Sequence, residues 1–255
     1  MTTDTVIETK ASNLWGLANP TRFMGFASRA IPVLAAGTAI LLVVGIYMSM
    51  NAPEDYQQGH TVKIMFIHVP AAYLAVIVYA IMCTSALGTL IWRHPLADVS
   101  LRTAAPIGAV FTFLALATGS LWGKPMWGTW WEWDARLTSV LVLFIVYLGL
   151  IALSKAFDEP SEAAWPLAVM TLTGAPLLPI IKWSVDWWNT LHQPASLAKF
   201  GKPSMPPDYY IPLLIMALAY MALFFTLHLM SMRNEILARR IRSMKMKSAR
   251  SRGAC

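Results

Sequence analysis

The sequence predicts an all-α integral membrane protein, a bundle of about six transmembrane helices with both termini cytoplasmic. Three observations carry that reading. Only 13% of the 255 residues are charged while 57% are hydrophobic, roughly half the charge of an ordinary soluble domain. Mean hydropathy is +0.54. The chain also contains six continuously apolar stretches, each long enough to cross a hydrocarbon core that needs about 20 helical residues.

The first stretch, 30–50, follows a segment with polar and charged groups. It shows no small-residue cleavage site, which marks a retained span and not a signal peptide. The second, 64–92, is longer than one crossing requires and must tilt or extend beyond the bilayer. Stretches 104–122, 137–153, 165–182 and 210–231 complete the set. None alternates with period two, so helices are expected and not barrel strands. The connections leave no room for a soluble domain. The expected organisation is a cytoplasmic segment 1–29, a membrane domain 30–231 with a tryptophan-rich loop at 122–136, and a basic cytoplasmic tail 232–255.

With six spans the termini share a side, which carries 14 Lys and Arg against 6 on the other. The positive-inside rule places that side in the cytoplasm. The asymmetry comes from the tail, where Arg239, Arg240, Arg242, Lys245, Lys247, Arg250 and Arg252 follow the last span. Basic residues in that position set topology and meet anionic membrane lipid, so the net charge of +7 does not indicate nucleic acid. The two cysteines, Cys83 and Cys255, form no CxxC or CxxCH. This excludes covalent heme attachment of the c type and a dithiol pair.

Between the third and fourth spans the chain reads WGKPMWGTWWEWDAR. It brings Trp122, Trp127, Trp130, Trp131 and Trp133 together, followed by Asp134 and Arg136. A second outward group, Trp183, Trp187 and Trp188, precedes His192. An aromatic belt would populate both faces, yet eight of the eleven tryptophans lie on this one. Gly123, Pro125 and Gly128 argue for a shaped loop over a simple helix. Such indole rings suit a large, flat, apolar ligand, since each buries about 150–250 Å² and stacks on extended π systems. Arg136 could pair with a ligand carboxylate, and Asp134 could cap the fourth span.

Of five histidines, His68 and His192 lie on the tryptophan-bearing face. A lone histidine there is most simply a hydrogen-bonded structural residue. Two of them beside a tryptophan-lined slot could be the axial ligands of a heme iron. His60 rivals His68 from a looser Gln-Gln-Gly-His loop, and His228 is expected to pack inside the bundle. Lys63 and Lys124 are outward cations that could meet heme propionates or simply snorkel. GSLWGK resembles a phosphate-binding loop, but its glycine spacing is too short and Pro125 stands where Ser or Thr is required. Gly119 and Gly123 form a GxxxG, a weak signal of close helix contact.

The tryptophan-rich stretch resembles the WWD signature of heme-handling proteins. Ala52–Gly59, HVPAA, APIGAVFTF, ARLTS and DWWNTLHQ resemble the CcmC-type family of c-type cytochrome maturation, over roughly residues 32–195. The resemblance implies a bacterial inner-membrane protein that is not an enzyme. It implies transient binding of heme b at the periplasmic surface through bis-His ligation by His68 and His192, with the tryptophan loop against the porphyrin edge. It further implies transfer of that heme to a CcmE-type chaperone, with a CcmD-type small membrane protein and a CcmA/CcmB-type ABC transporter as partners. The alternatives are a b-type cytochrome subunit holding permanent heme between buried helices, and a transmembrane exporter conducting heme through its own bundle. Pro194 soon after His192 disfavours the first, and scarce intramembrane charge disfavours the second.

Overall fold

The computed structural model describes residues 19–188, 191–192 and 205–253, and these are helical apart from short connections. Among the described residues there are seven α-helices: α1 Pro20–Met50, α2 Met65–Trp92, α3 Pro95–Trp127, α4 Ala135–Lys155, α5 Pro160–Thr173, α6 Leu177–Trp187 and α7 Pro207–Gly253. A 3₁₀ turn, His60–Ile64, leads into α2. Because α5 and α6 follow one another along a single path, the described residues give six helical segments long and apolar enough to cross a membrane. The chain is a multi-pass membrane protein. Cys255, Trp15 and Pro194 lie outside the described residues.

Several helices begin earlier than their apolar runs, and local chemistry explains where. α1 begins at Pro20, with the Asn19 side chain accepting from the Thr21 N–H at 2.8 Å. Proline also opens α3 and α5, positions at which a missing N–H costs nothing. α7 does not stop at the basic segment but continues through it, giving 47 helical residues, about 70 Å at 1.5 Å per residue.

The core is built around α2 and α3, which pack against each other and against α4, α5 and α7. Tyr79 and Tyr147 meet edge to face at 5.4 Å in its centre. The Tyr147 hydroxyl donates to the Ala75 carbonyl at 2.8 Å, and Gly108 leaves room for its ring, which any Cβ would strike. The fifth span, expected to be one helix over 165–182, is broken at Gly174–Pro176. Ala175 N–H turns to the Leu172 carbonyl, so the Thr171 carbonyl loses its partner one turn on. The Tyr79 hydroxyl donates to it at 2.9 Å, the kind of compensation a broken helix needs inside a membrane.

At the end of the bundle bearing the start of α1 and the basic end of α7, charges are paired. Arg239 Nη1 meets Asp98 Oδ2 at 2.6 Å, and Arg239 Nε meets Glu235 at 2.7 Å. Arg102 donates to the Ser154 and Pro160 carbonyls at 2.8 and 3.0 Å, joining α3 to the α4–α5 connection. His228 packs inside the bundle as expected, with Nε2 3.1 Å from Ser100 Oγ and its ring stacked on Phe224.

Candidate functional site

The tryptophan-rich segment departs from the expected loop in one respect. α3 runs through Gly123 and Pro125 to Trp127, so Trp122 and Trp127 are helical and the irregular segment is only Gly128–Asp134. Pro125 lies inside the helix and withholds the N–H that would bond the Leu121 carbonyl. Gly123 is needed for packing: a Cβ there would lie 3.0 Å from the Trp127 ring and 3.4 Å from the Thr129 carbonyl. Gly128, at φ +78°, ends the helix in the left-handed conformation that glycine adopts without penalty.

His68 is in the first turns of α2, and its position is fixed by α3. Its Nδ1 donates to the Ala115 carbonyl at 3.0 Å and to Thr118 Oγ1 at 3.2 Å. A carbonyl can only accept, and the Thr118 hydroxyl spends its own proton on the Leu114 carbonyl at 2.6 Å. The imidazole proton therefore resides on Nδ1, which leaves a lone pair on Nε2. Gly119 makes the approach possible, since a Cβ there would stand 3.0 Å from His68 Cε1. Both glycines of the GxxxG thus make room for site rings, His68 at one and Trp127 at the other.

Trp122 lies edge-on to His68 at 5.7 Å, and Trp127 lies edge-on to His192 at 4.9 Å. The last two turns of α3 therefore present one indole to each histidine, and His192 is within electrostatic reach of His68. Trp122 Nε1 donates to Gln58 Oε1 at 3.0 Å. Gln58 is delivered by a tight turn in which Asp55 Oδ1 accepts from the Gln57 and Gln58 N–H groups, both at 2.9 Å. Gly59 closes that turn at φ +55°.

Asp134 caps α4 as expected, its Oδ1 accepting from Leu137 N–H at 2.7 Å. Its Oδ2 faces His192 Nδ1 at 3.2 Å. Burial, the largest influence, pushes the His192 pKa down from its ordinary value, while the hydrogen bond and charge of Asp134 oppose it and Arg136 adds to it. Burial therefore favours the neutral imidazole that can ligate a metal.

The remaining candidates divide. Trp131 and Trp133 meet edge to face at 5.6 Å, and the buried Trp131 Nε1 finds no acceptor among the described residues. Trp130 and Trp133 are exposed, at 55% and 74%. Arg136 is turned inward: it donates to Ser184 Oγ and to the Ile181 and Lys182 carbonyls, each at 3.3 Å. It ties the start of α4 to the middle of α6. Lys63 donates to the Met50 carbonyl at 2.6 Å, and Lys124 to the Gly128 carbonyl at 2.9 Å. Both lysines finish helix ends. His60 is exposed and paired with Glu54 at 2.9 Å.

Sequence reading did not single out Gln58, Ala115, Thr118 or Gly119 as parts of the site. Ala115 acts through its carbonyl, which carries no residue signature. Among the described residues no cluster of three or more His, Cys, Asp or Glu could hold a metal ion. Two imidazoles suffice for an iron whose other four ligands are porphyrin nitrogens.

The sequence model of a family described as heme exporter protein C (CcmC) matches residues 13–247. Heme exporter protein C of Bradyrhizobium diazoefficiens is 65% identical over 233 residues, covering 91% of this chain and 89% of that protein. The protein of the same name from Escherichia coli K12 is 46% identical over 222 residues, covering 87% and 89%. That from Haemophilus influenzae is 43% identical over 221 residues, covering 86% and 90%.

Proposed function

Since the chain belongs to the heme exporter protein C family, we propose that it binds heme b transiently at the periplasmic face of a bacterial inner membrane. It presents that heme to a CcmE-type chaperone during c-type cytochrome maturation. The observation that carries the reading is the pair His68 and His192, each set against an indole at the end of α3. The hydrogen bonds of His68 lock it in the tautomer that ligates through Nε2.

The residues suit the cargo. Trp122 and Trp127 flank the ligands, while Trp130 and Trp133 offer exposed indoles to the porphyrin edge. The Trp131 N–H, without an acceptor among the described residues, is a donor available to a carboxylate if the loop shifts on binding. Of the three cations considered for the propionates, Lys63 and Lys124 can exchange a backbone carbonyl for a carboxylate. Arg136 is committed to α6 and acts by holding that helix against α4.

The protein acts as a platform and not as a catalyst. A CcmD-type small membrane protein and a CcmA/CcmB-type ABC transporter would complete the assembly, the transporter hydrolysing ATP. The basic end of α7 then lies on the cytoplasmic side, in contact with anionic lipid. Co-purification tests this reading: extracted from membranes, the protein carries heme together with a CcmE-type chaperone. Heme loading of that chaperone falls in both His68→Ala and His192→Ala. Undiminished loading in the two variants would refute it.

A further inference from the structure

The two histidines are held in different ways. His68 sits on a regular helix and leans on neutral acceptors, the Ala115 carbonyl and the Thr118 hydroxyl. His192 sits in a bend outside any helix, so its own backbone does little to aim the ring. Its Nδ1 faces a carboxylate, Asp134 Oδ2 at 3.2 Å, on a side chain only 4% exposed. The other oxygen of that carboxylate is spent on the Leu137 N–H, and this bond fixes the direction in which Oδ2 points. The N-terminus of α4 favours the negative charge. Trp127 confines the imidazole ring edge-on at 4.9 Å.

We infer that Asp134 is the positioning residue of His192, holding the imidazole proton on Nδ1 and presenting Nε2 to the iron. The inference rests on the heme reading above and deepens it. An ionised carboxylate can only accept, so the proton must stay on the nitrogen that faces it. A carboxylate behind a ligating imidazole also makes it a stronger donor, and loss of such a partner typically weakens metal binding about 10–100-fold. Asp134 thus has two roles in one side chain, starting α4 and aiming His192.

Three substitutions separate the roles. Asp134→Asn keeps an oxygen for the Leu137 N–H and caps about as well as Asp, but presents an amide N–H₂ to His192. The imidazole must then accept at Nδ1 and carry its proton on Nε2, the wrong tautomer for ligation. Asp134→Ser also keeps the cap but is too short to reach His192. Asp134→Glu gives up most of the cap and keeps a carboxylate within reach.

The purified full-length variants are titrated with hemin in detergent and followed by absorption and resonance Raman spectra, with helical content measured by circular dichroism. The inference expects Asp134→Asn and Asp134→Ser to keep wild-type helicity, bind heme at least tenfold more weakly and show the high-spin spectrum of His192→Ala. Asp134→Glu keeps a low-spin spectrum. Were Asp134 only a cap, the order would invert, with Asn and Ser normal and Glu damaged. A normal low-spin spectrum in Asp134→Asn, or a loss of helicity in that variant, overturns the inference while leaving ligation by His192 intact. A normal spectrum in His192→Ala overturns the heme reading and this inference together.

Discussion

Substitution of Gly119 separates the stability of the bundle from its capacity to hold heme. Gly119 is an interior position of α3, so Gly119→Ala gains about 0.8–1.0 kcal/mol of helix propensity. The added Cβ would stand 3.0 Å from His68 Cε1 and 3.4 Å from Nδ1. Ordinary carbon contacts lie at about 3.5–4.0 Å, so the ring must withdraw from α3 by roughly 0.5 Å. That motion stretches the His68 Nδ1 bonds from 3.0 and 3.2 Å toward about 3.5 Å, where they cease to count. Each is worth about 0.5–1.5 kcal/mol, which offsets the propensity gain. Thermal stability of Gly119→Ala should therefore fall by no more than about 2 kcal/mol. Ligand geometry must hold to about 0.5 Å, so hemin affinity should fall about tenfold, equivalent to about 1.4 kcal/mol. Gly119→Leu, which fills the His68 position outright, should abolish low-spin heme. The assay is hemin titration followed by absorption, alongside a detergent-phase thermal melt. Wild-type affinity and spectrum in Gly119→Leu would refute the claim that His68 is a ligand held against α3.

Other expectations follow from the same contacts. Gln58→Leu strips the acceptor from Trp122 Nε1, costing about 1–3 kcal/mol. It should weaken hemin binding modestly without changing the low-spin spectrum, as titration of the variant will report. Tyr79→Phe leaves the Thr171 carbonyl at the α5–α6 break with only the long 4.0 Å contact of the Cys83 thiol, lowering stability by about 1 kcal/mol. Hemin affinity in that variant should stay at the wild-type value, because the break is remote from the histidines. Arg239→Met leaves the buried Asp98 carboxylate without its 2.6 Å partner, a change that typically costs about 3–5 kcal/mol. A thermal melt should show it as the most destabilised variant of the set, and restoration by Asp98→Asn would identify the uncompensated charge as the cause.

The bundle was legible because a span of apolar helix needs no particular neighbour to be recognised: composition and length suffice. Helix ends were less so. Apolar runs stop at charges, whereas helices stop at backbone chemistry, and Asn19, Pro95 and Pro160 begin helices outside the apolar windows. The basic segment continues α7 because it is rich in helix formers and because Glu235 and Arg239 pair across one turn. Gly123 and Pro125 misled in the opposite direction, since α3 continues through both to Trp127.

At the site, side chains of distinctive chemistry were found from sequence and their partners were not. The structure sets His68 against Trp122, and His192 against Trp127 and Asp134. The atoms that set their protonation and orientation are the Ala115 carbonyl, the Gln58 amide and the absent Cβ of Gly119, none of which announces itself in a sequence. The charge of Lys63, Lys124 and Arg136 suggests ligand contacts, with snorkelling as the alternative for the two lysines. The structure engages each with a backbone carbonyl, the lysines at helix ends, where carbonyls are left unpaired, and Arg136 in the middle of α6.

The central claim is bis-histidine ligation, and electron paramagnetic resonance of the ferric heme complex tests it most directly. The wild-type protein should give a low-spin signal characteristic of two imidazoles. His68→Ala and His192→Ala should each lose it to a high-spin signal, with added imidazole restoring it in both. A low-spin signal unchanged in either single variant, without added imidazole, would contradict the account.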